Sequence, residues 1–365
     1  MKTVGLITAN YSNEAFTQLT HFRTLASLPF GGRYRLIDFA LSNMVNSGIN
    51  KVGIISPYNS GSLIDHIGAG KPWSLNKKHE GLFMMPGAVY GLHGTGGKFL
   101  FKDIIVNRAF FERSSNADYV IISSSTDVYN YDYSDLIAFH IASSNDATVM
   151  YKHVENAEEH WGYSISRNDE GLVESFDIGK NGSADFFMDC MIVNIEYMLK
   201  LIDSYSALEY MDIMEIFNID NNRIGTFRFD GYLGSINSIK DYLKVSKDLF
   251  DYDIRNEVFN KDRTIYTKVQ DDAPVQYMKG SYVKNSIIAT GCKIEGTVEE
   301  SIVFRSINIK KDAKVTNSVL MLYSEIGEGA VLENVICDKY VKVSPGAKII
   351  GTPDNPIVLS KGSTI

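Results

Sequence analysis

The chain has 365 residues, 44% of them hydrophobic, which is enough for two domains that each bury a core. Its formal net charge of -8 excludes the clustered basic excess that a nucleic-acid or anionic-membrane surface requires, so any anion site must be local. Cys190, Cys292 and Cys337 lie far apart without paired spacing, and the seven histidines show no ligand spacing, so neither a disulfide framework nor a zinc cluster is indicated. The N-terminus lacks the basic region and apolar core of a signal peptide, and no run reaches membrane-spanning length. The expectation is a cytoplasmic protein with no nucleic-acid and no membrane partner.

Up to about residue 245, short apolar strands alternate with helical segments. The runs 4–8, 52–56, 119–123 and 147–151 are continuously apolar, as strands buried on both faces are, which predicts a parallel sheet in an α/β, Rossmann-like domain. Ligands of such sheets sit beyond the carboxyl ends of the strands, which places chemistry in loops 8–12 and 123–127. The first of these contains no glycine and reads as an ordinary polar turn. Residues 29–43 combine Gly31-Gly32 with Arg33 and Arg35, whose planar forks suit phosphate or carboxylate, ahead of a helix capped by Asp38. That stretch is either an anion-recognition turn or a structural turn with Arg35 paired to Asp38.

After Tyr242 the texture changes. Residues 246–280 read as a linker between a domain at 1–245 and a second at 281–365. In the second, Ser286-Ile-Ile, Ser301-Ile-Val, Ser318-Val-Leu and Asn334-Val-Ile start roughly 15 to 17 residues apart, close to three hexapeptides, which indicates coils of a parallel β-helix.

The 29–43 block, followed by Asn46-Ser47-Gly48-Ile49, resembles the signature of glucose-1-phosphate adenylyltransferases, the ADP-glucose pyrophosphorylases of glycogen and starch synthesis. Tyr58 through His66-Ile67-Gly68, Lys71-Pro72-Trp73, Gly94-Thr95, Trp161-Gly162 and the repeat-built C-terminus match in order. The resemblance implies a nucleotidyltransferase (GT-A-like) domain followed by a left-handed β-helix. It also exposes losses. Counted without gaps, the family's triphosphate-binding glycine turn falls on residues 10–13, its arginine on Ala15 and its lysine on Leu25. Its two magnesium aspartates fall on Thr126 and Ser235, and its sugar-phosphate lysine on Ser175. A hydroxyl lacks the full charge that magnesium seeks in its few protein ligands. Lys98 and Lys180 remain as donors to phosphate, or as solvated loop charges.

The resemblance therefore implies a catalytically deficient regulatory subunit of the D type, with no catalytic residues and no cofactor of its own. Mg2+ would reside in a catalytic glucose-1-phosphate adenylyltransferase partner, and the two would form a heterotetramer. Because the family places a basic residue at the Arg33 position, Arg33 and Arg35 are expected to bind a sugar-phosphate effector. The alternative is an active glucose-1-phosphate adenylyltransferase in which Asp127 is a displaced metal ligand.

Overall fold

A computed structural model describes the chain except residues 1, 13, 58, 79, 89–91, 94–97, 115, 156–161, 180, 181 and 221, and the side chains of 12, 92 and 93. Tyr58, Gly94, Thr95, Trp161 and Lys180 thus lie outside the described residues.

The strands Thr3–Thr8, Lys51–Ser56, Gly81–Pro86 and Tyr119–Ser124 pair in parallel in a nine-stranded sheet. Ala184–Asn194 inserts antiparallel between Tyr119–Ser124 and Ala147–Val154, so the fourth predicted strand joins the sheet at one remove. Among the described residues only Ala184–Asn194 and Val173–Ile178 run against the other strands of this sheet. Val4, Leu6, Ile7, Val120, Ile121 and Ile122 are all essentially without solvent contact, as expected of strands covered on both faces. The sheet is therefore mixed but mostly parallel.

The helix Leu36–Asn46 follows the glycine pair, where Gly31 and Gly32 take φ of 57° and 83°. Asp38 is not the residue flanking the helix but its third position. Its carboxylate accepts the backbone N–H of Arg35 at 2.9 Å and meets His66 Nε2 at 2.5 Å. Buried without exposure, Asp38 closes the helix start from inside, as the carboxylate of a capping box does.

The C-terminal region is a left-handed β-helix with three faces, each a stack of five short parallel strands. Ile287, Ile302, Val319 and Ile336 stack in register on one face; Ser286, Ser301 and Ser318 precede the first three, whereas Val335 stands in the serine's place before Ile336 and Asn334 falls one position earlier, at the corner. The Ser318 N–H donates to Ser301 Oγ at 3.1 Å, and the Val335 N–H to Ser318 Oγ at 3.1 Å, so buried hydroxyls satisfy backbone donors at the corners. Asn285, Glu300, Asn317 and Asn334 make the same corner with positive φ. Within 246–280 the chain forms the helix Tyr252–Val258 and, at Gln276–Tyr277, the first β-helix strand.

The two regions share one core. Phe16, Leu25, Phe30, Phe39, Tyr242 and Leu249 belong to the same buried cluster as Ile294, Val303, Leu320 and Ile336. A buried ion pair crosses it, with Arg23 Nη2 at 2.6 and 2.8 Å from the Asp338 carboxylate oxygens.

Candidate functional site

The expected ligand-binding end of the sheet is filled by side chains of the chain itself. Thr8 and Ser124 end adjacent parallel strands, and Asn10, Tyr11 and residues 125–127 lie beyond them. Asn10 and Tyr11 are buried rather than part of a solvated polar turn, which corrects the expectation for this loop. Asn10 Nδ2 donates to Asp103 at 2.8 and 3.1 Å and to the Ala88 carbonyl at 3.2 Å. A polar amide accepts burial only with such partners. Burial raises the Asp103 carboxyl to about 6, opposed by hydrogen bonds from Ala88 N–H and Asn10. A Cβ on Gly87 would come within 2.6 Å of the Asn10 amide, so glycine at 87 is what lets the amide pack against this strand end.

The second loop holds Thr126 and Asp127, both buried. Thr126 Oγ1 hydrogen-bonds Ser124 Oγ at 2.9 Å. Asp127 pairs across a two-strand ladder with Ser235, so Ser235 lies opposite the residue next to Thr126, and both positions to which the resemblance assigns metal aspartates carry hydroxyls. Both Asp127 oxygens lie 3.3 Å from Lys98 Nζ, which also contacts Asp189 at 2.6 Å. Lys98 is 5% exposed, so it is neither a solvated loop charge nor a free phosphate donor. Burial alone would depress its ammonium, but Asp127 and Asp189 outweigh that and hold it above its ordinary value. Burial raises the Asp189 carboxyl, and the neighbouring Asp127 adds to this while Lys98 opposes it.

These residues do not fit a magnesium ion. An ammonium already lies against Asp127, and Thr126 and Ser235 supply no carboxylate. Among the described residues no group of three or more His, Cys, Asp or Glu could hold a metal.

The remaining degenerate positions are scattered in role. Ala15 is exposed on the turn Glu14–Phe16, Leu25 is a core residue, and Ser175 Oγ donates to Asp177 at 2.7 Å on the strand Val173–Ile178.

Arg33 and Arg35 lie instead in a cleft between the sheet domain and the β-helix, with Lys268, Arg305 and Lys339, around a cavity of about 40 Å³. The Arg33 guanidinium is exposed and lies 5.5 Å from the Tyr34 ring centroid. Arg35 Nη1 donates to the Ser62 carbonyl at 2.6 Å and to its hydroxyl at 2.9 Å, so its side chain is anchored on Ser62 rather than Asp38. Arg305 donates to Gln270 and lies 3.7 Å from Asp272. Burial, with repulsion from Arg35 and Arg23, pushes the Lys339 ammonium down to about 7 against the pull of Asp338. Burial likewise lowers Arg35 to about 10, with Asp38 opposing. Burial, and secondarily the neighbouring cations, disfavours the charged forms of Arg35, Arg305 and Lys339 in this cleft.

Lys98, Asp189, Arg23, Lys268, Arg305 and Lys339 were not assigned to these places by sequence reasoning. One signal was present: Arg305, Leu322 and Lys339 are 17 residues apart, one corner of successive coils, and all three line the cavity.

Residues 14–177 match the family described as nucleotidyl transferase, and residues 272–355 match the GlmU-like C-terminal hexapeptide. The glycogen biosynthesis protein GlgD of Bacillus subtilis is 34% identical over 362 residues, covering 98% of this chain and 96% of the relative. That of Geobacillus stearothermophilus is 36% identical over 365 residues, covering 99% and 97%. The glucose-1-phosphate adenylyltransferase of Fervidobacterium nodosum is 27% identical over 353 residues, covering 95% and 85%. With a nucleotidyltransferase sheet, a hexapeptide β-helix and full-length similarity of this order, the chain belongs to the GlgD and glucose-1-phosphate adenylyltransferase family of glycogen biosynthesis.

Proposed function

We propose that this chain is a catalytically deficient regulatory subunit that docks on a catalytic glucose-1-phosphate adenylyltransferase, in a mixed tetramer, and modulates its synthesis of ADP-glucose from ATP and glucose 1-phosphate. The observation that carries the reading is the self-filled cleft, in which Asn10 bonds Asp103 and the Lys98 ammonium lies on Asp127 and Asp189. Nucleotide and metal would have to displace satisfied buried groups, each at a cost of a few kcal/mol. The displaced-ligand alternative draws no support from Asp127, whose two oxygens are both on Lys98.

The regulatory half of the reading rests on the cation-lined cavity, where Arg33 and Lys339 offer charge to an anion. A phosphoryl group of a sugar-phosphate effector would sit against Arg33, Arg35, Arg305 and Lys339. Such an effector shifts the assembly only by preferring one of its states.

The test is reconstitution. The chain is purified alone and with a catalytic partner, and ADP-glucose formation is measured with ATP, Mg2+ and glucose 1-phosphate. The expected result is no sustained turnover alone, co-purification with the partner, and a changed response to phosphorylated sugars in the mixed assembly. Turnover by the isolated chain that Asp127→Asn abolishes would overturn the deficiency in favour of the alternative. Failure to associate would overturn the partnership.

A further inference from the structure

One corner of the β-helix runs beside the cation-lined cleft, and its residues change from small to large along the axis. Gly291, Ser306, Tyr323 and Tyr340 occupy it in successive coils, with φ of 76°, 57°, 63° and 62°. A bulky side chain is an uncommon choice for that conformation, which Asn and Asp adopt more readily, as Asn285, Asn317, Asn334 and Asp312 do at other corners. Strain kept at two consecutive corners points to a use for the side chains that cause it. On the effector reading proposed for the cleft, we propose that Tyr323 and Tyr340 form its ring subsite. The ligand is a phosphomonoester of a ring compound, its ring stacked on Tyr323 over Ser306 and its phosphoryl group among the cations.

The geometry supports this. The N–H of each corner residue donates to a carbonyl of the preceding coil, Ser306 to Thr290 at 3.2 Å, Tyr323 to Arg305 at 3.2 Å and Tyr340 to Leu322 at 3.0 Å, which holds the corners in register. The Tyr323 and Tyr340 rings stack with centroids 5.1 Å apart and planes 14° from parallel, yet stay 47% and 50% exposed. Ser306 and Gly291 carry no ring, so the ladder stops at Tyr323, whose other face has no aromatic partner among the described residues. Coils of paired strands lie about 4.8 Å apart, which is room there for one further ring. Arg305, Leu322 and Lys339, each immediately ahead of its corner residue, line the cavity. Burial lowers the Arg305 guanidinium, as Arg33 does, and Asp272 and Tyr323 oppose this, so the Tyr323 phenol lies within electrostatic reach of that cation. A ring over Ser306 therefore carries its phosphoryl group toward the cavity. An aromatic face accepts flat rings without regard to their polar edges, so a hexose and a nucleoside are two sources of the same chemistry.

The experiment is titration of the full chain with two matched pairs of probes, followed by calorimetry and by near-ultraviolet dichroism of the tyrosines. Glucose 6-phosphate is set against its open-chain counterpart sorbitol 6-phosphate, and AMP against ribose 5-phosphate, which lacks the base. In at least one pair the first compound is expected to bind about fivefold tighter or more, the weaker end of what one aromatic stack supplies, and that pair identifies the ring as hexose or base. Only that compound should alter the tyrosine dichroism. Tyr323→Asn, which suits the left-handed corner, should bring it to the affinity of its counterpart and leave the counterpart unchanged, whereas Arg33→Ala should weaken both alike. If Tyr323→Asn does not fold, Tyr323→Gly takes its place, since glycine already occupies this corner at 291. Equal binding within both pairs by the native chain would overturn the ring subsite and leave the effector reading standing, and so would a preference that survives loss of Tyr323. Binding of none of the four compounds would overturn both, so the two failures are told apart.

Discussion

Replacing Arg23 by Ala should destabilise the whole molecule rather than the turn that carries it. Arg23 Nη2 lies 2.6 and 2.8 Å from the Asp338 oxygens, and the two side chains are 3% and 2% exposed. Removing one partner of such a pair leaves a desolvated carboxylate and costs about 3–5 kcal/mol. Asp338 keeps one donor, the Lys339 backbone N–H at 2.7 Å, which favours the lower half of that range. A loss of this size lowers the folded-to-unfolded ratio roughly 10²- to 10⁴-fold. Because the sheet domain and the β-helix share a core cluster, native unfolding in guanidinium, followed by far-ultraviolet dichroism and tyrosine fluorescence, should give coincident transitions. Arg23→Ala should move the midpoint down, whereas Arg23→Met/Asp338→Leu should recover most of the loss, since an apolar pair of similar size needs no compensation. An Arg23→Ala chain within about 1 kcal/mol of native would refute the reasoning, because that is the cost of an exposed pair.

The Lys339 ammonium, pushed down to about 7 from 10.5, is bound to a proton less often in the folded chain than in the unfolded chain between those values, so stability rises with pH across that window and the burial penalty is full below 7. Lys339→Met should therefore raise the melting temperature below pH 7 and lose this advantage as pH climbs, while phosphate binding to the native chain weakens over the same rise; a pH series of melts and titrations checks both. Arg33→Ala in the mixed assembly should remove the response to phosphorylated sugars while leaving basal turnover intact, as measured by ADP-glucose formation; an unchanged response would take Arg33 out of the site. Ser318→Ala should cost about 1–3 kcal/mol in denaturant unfolding, because the buried Val335 N–H loses its acceptor at 3.1 Å and the hydroxyl its donation to Thr316 at 2.7 Å. A neutral outcome there would mean that the hydroxyl ladder is incidental to the coil.

The sheet and the coils were legible because each follows a local period. Apolar runs such as Val4 to Thr8 have no polar face to mistake, and the serines ahead of Ile302 and Val319 recur because a corner hydroxyl must meet a backbone N–H. The antiparallel insertion of Ala184–Asn194 was not legible, since it depends on which strand pairs with which rather than on composition. For the cleft, the absence of glycine in 8–12 could be read, but what replaced the cradle could not. Asn10 looks like a turn residue until Asp103, 93 positions away, supplies its partner.

The same limit governs charge, and more severely. A lysine after glycines, in Gly94-Thr95-Gly96-Gly97-Lys98, carries every local sign of a solvated or phosphate-binding side chain. Its burial follows only from two carboxylates delivered by other strands, 29 residues away in one case, and from a left-handed Asp189 that sequence periodicity does not announce. Conversely Arg33 and Arg35 could be found from their own turn, but the cations that join them in the cleft, Lys268, Arg305 and Lys339, come from elsewhere in the chain. In both places the local motif supplies one sign of charge, and tertiary structure decides whether the opposite sign is already present. It is present around Lys98, where two carboxylates meet the ammonium. Around Arg33 it is only partly present: Asp338 is taken by Arg23, Asp38 by His66, and Asp272 lies 3.7 Å from Arg305, so the carboxylates do not match the five cations of the cleft.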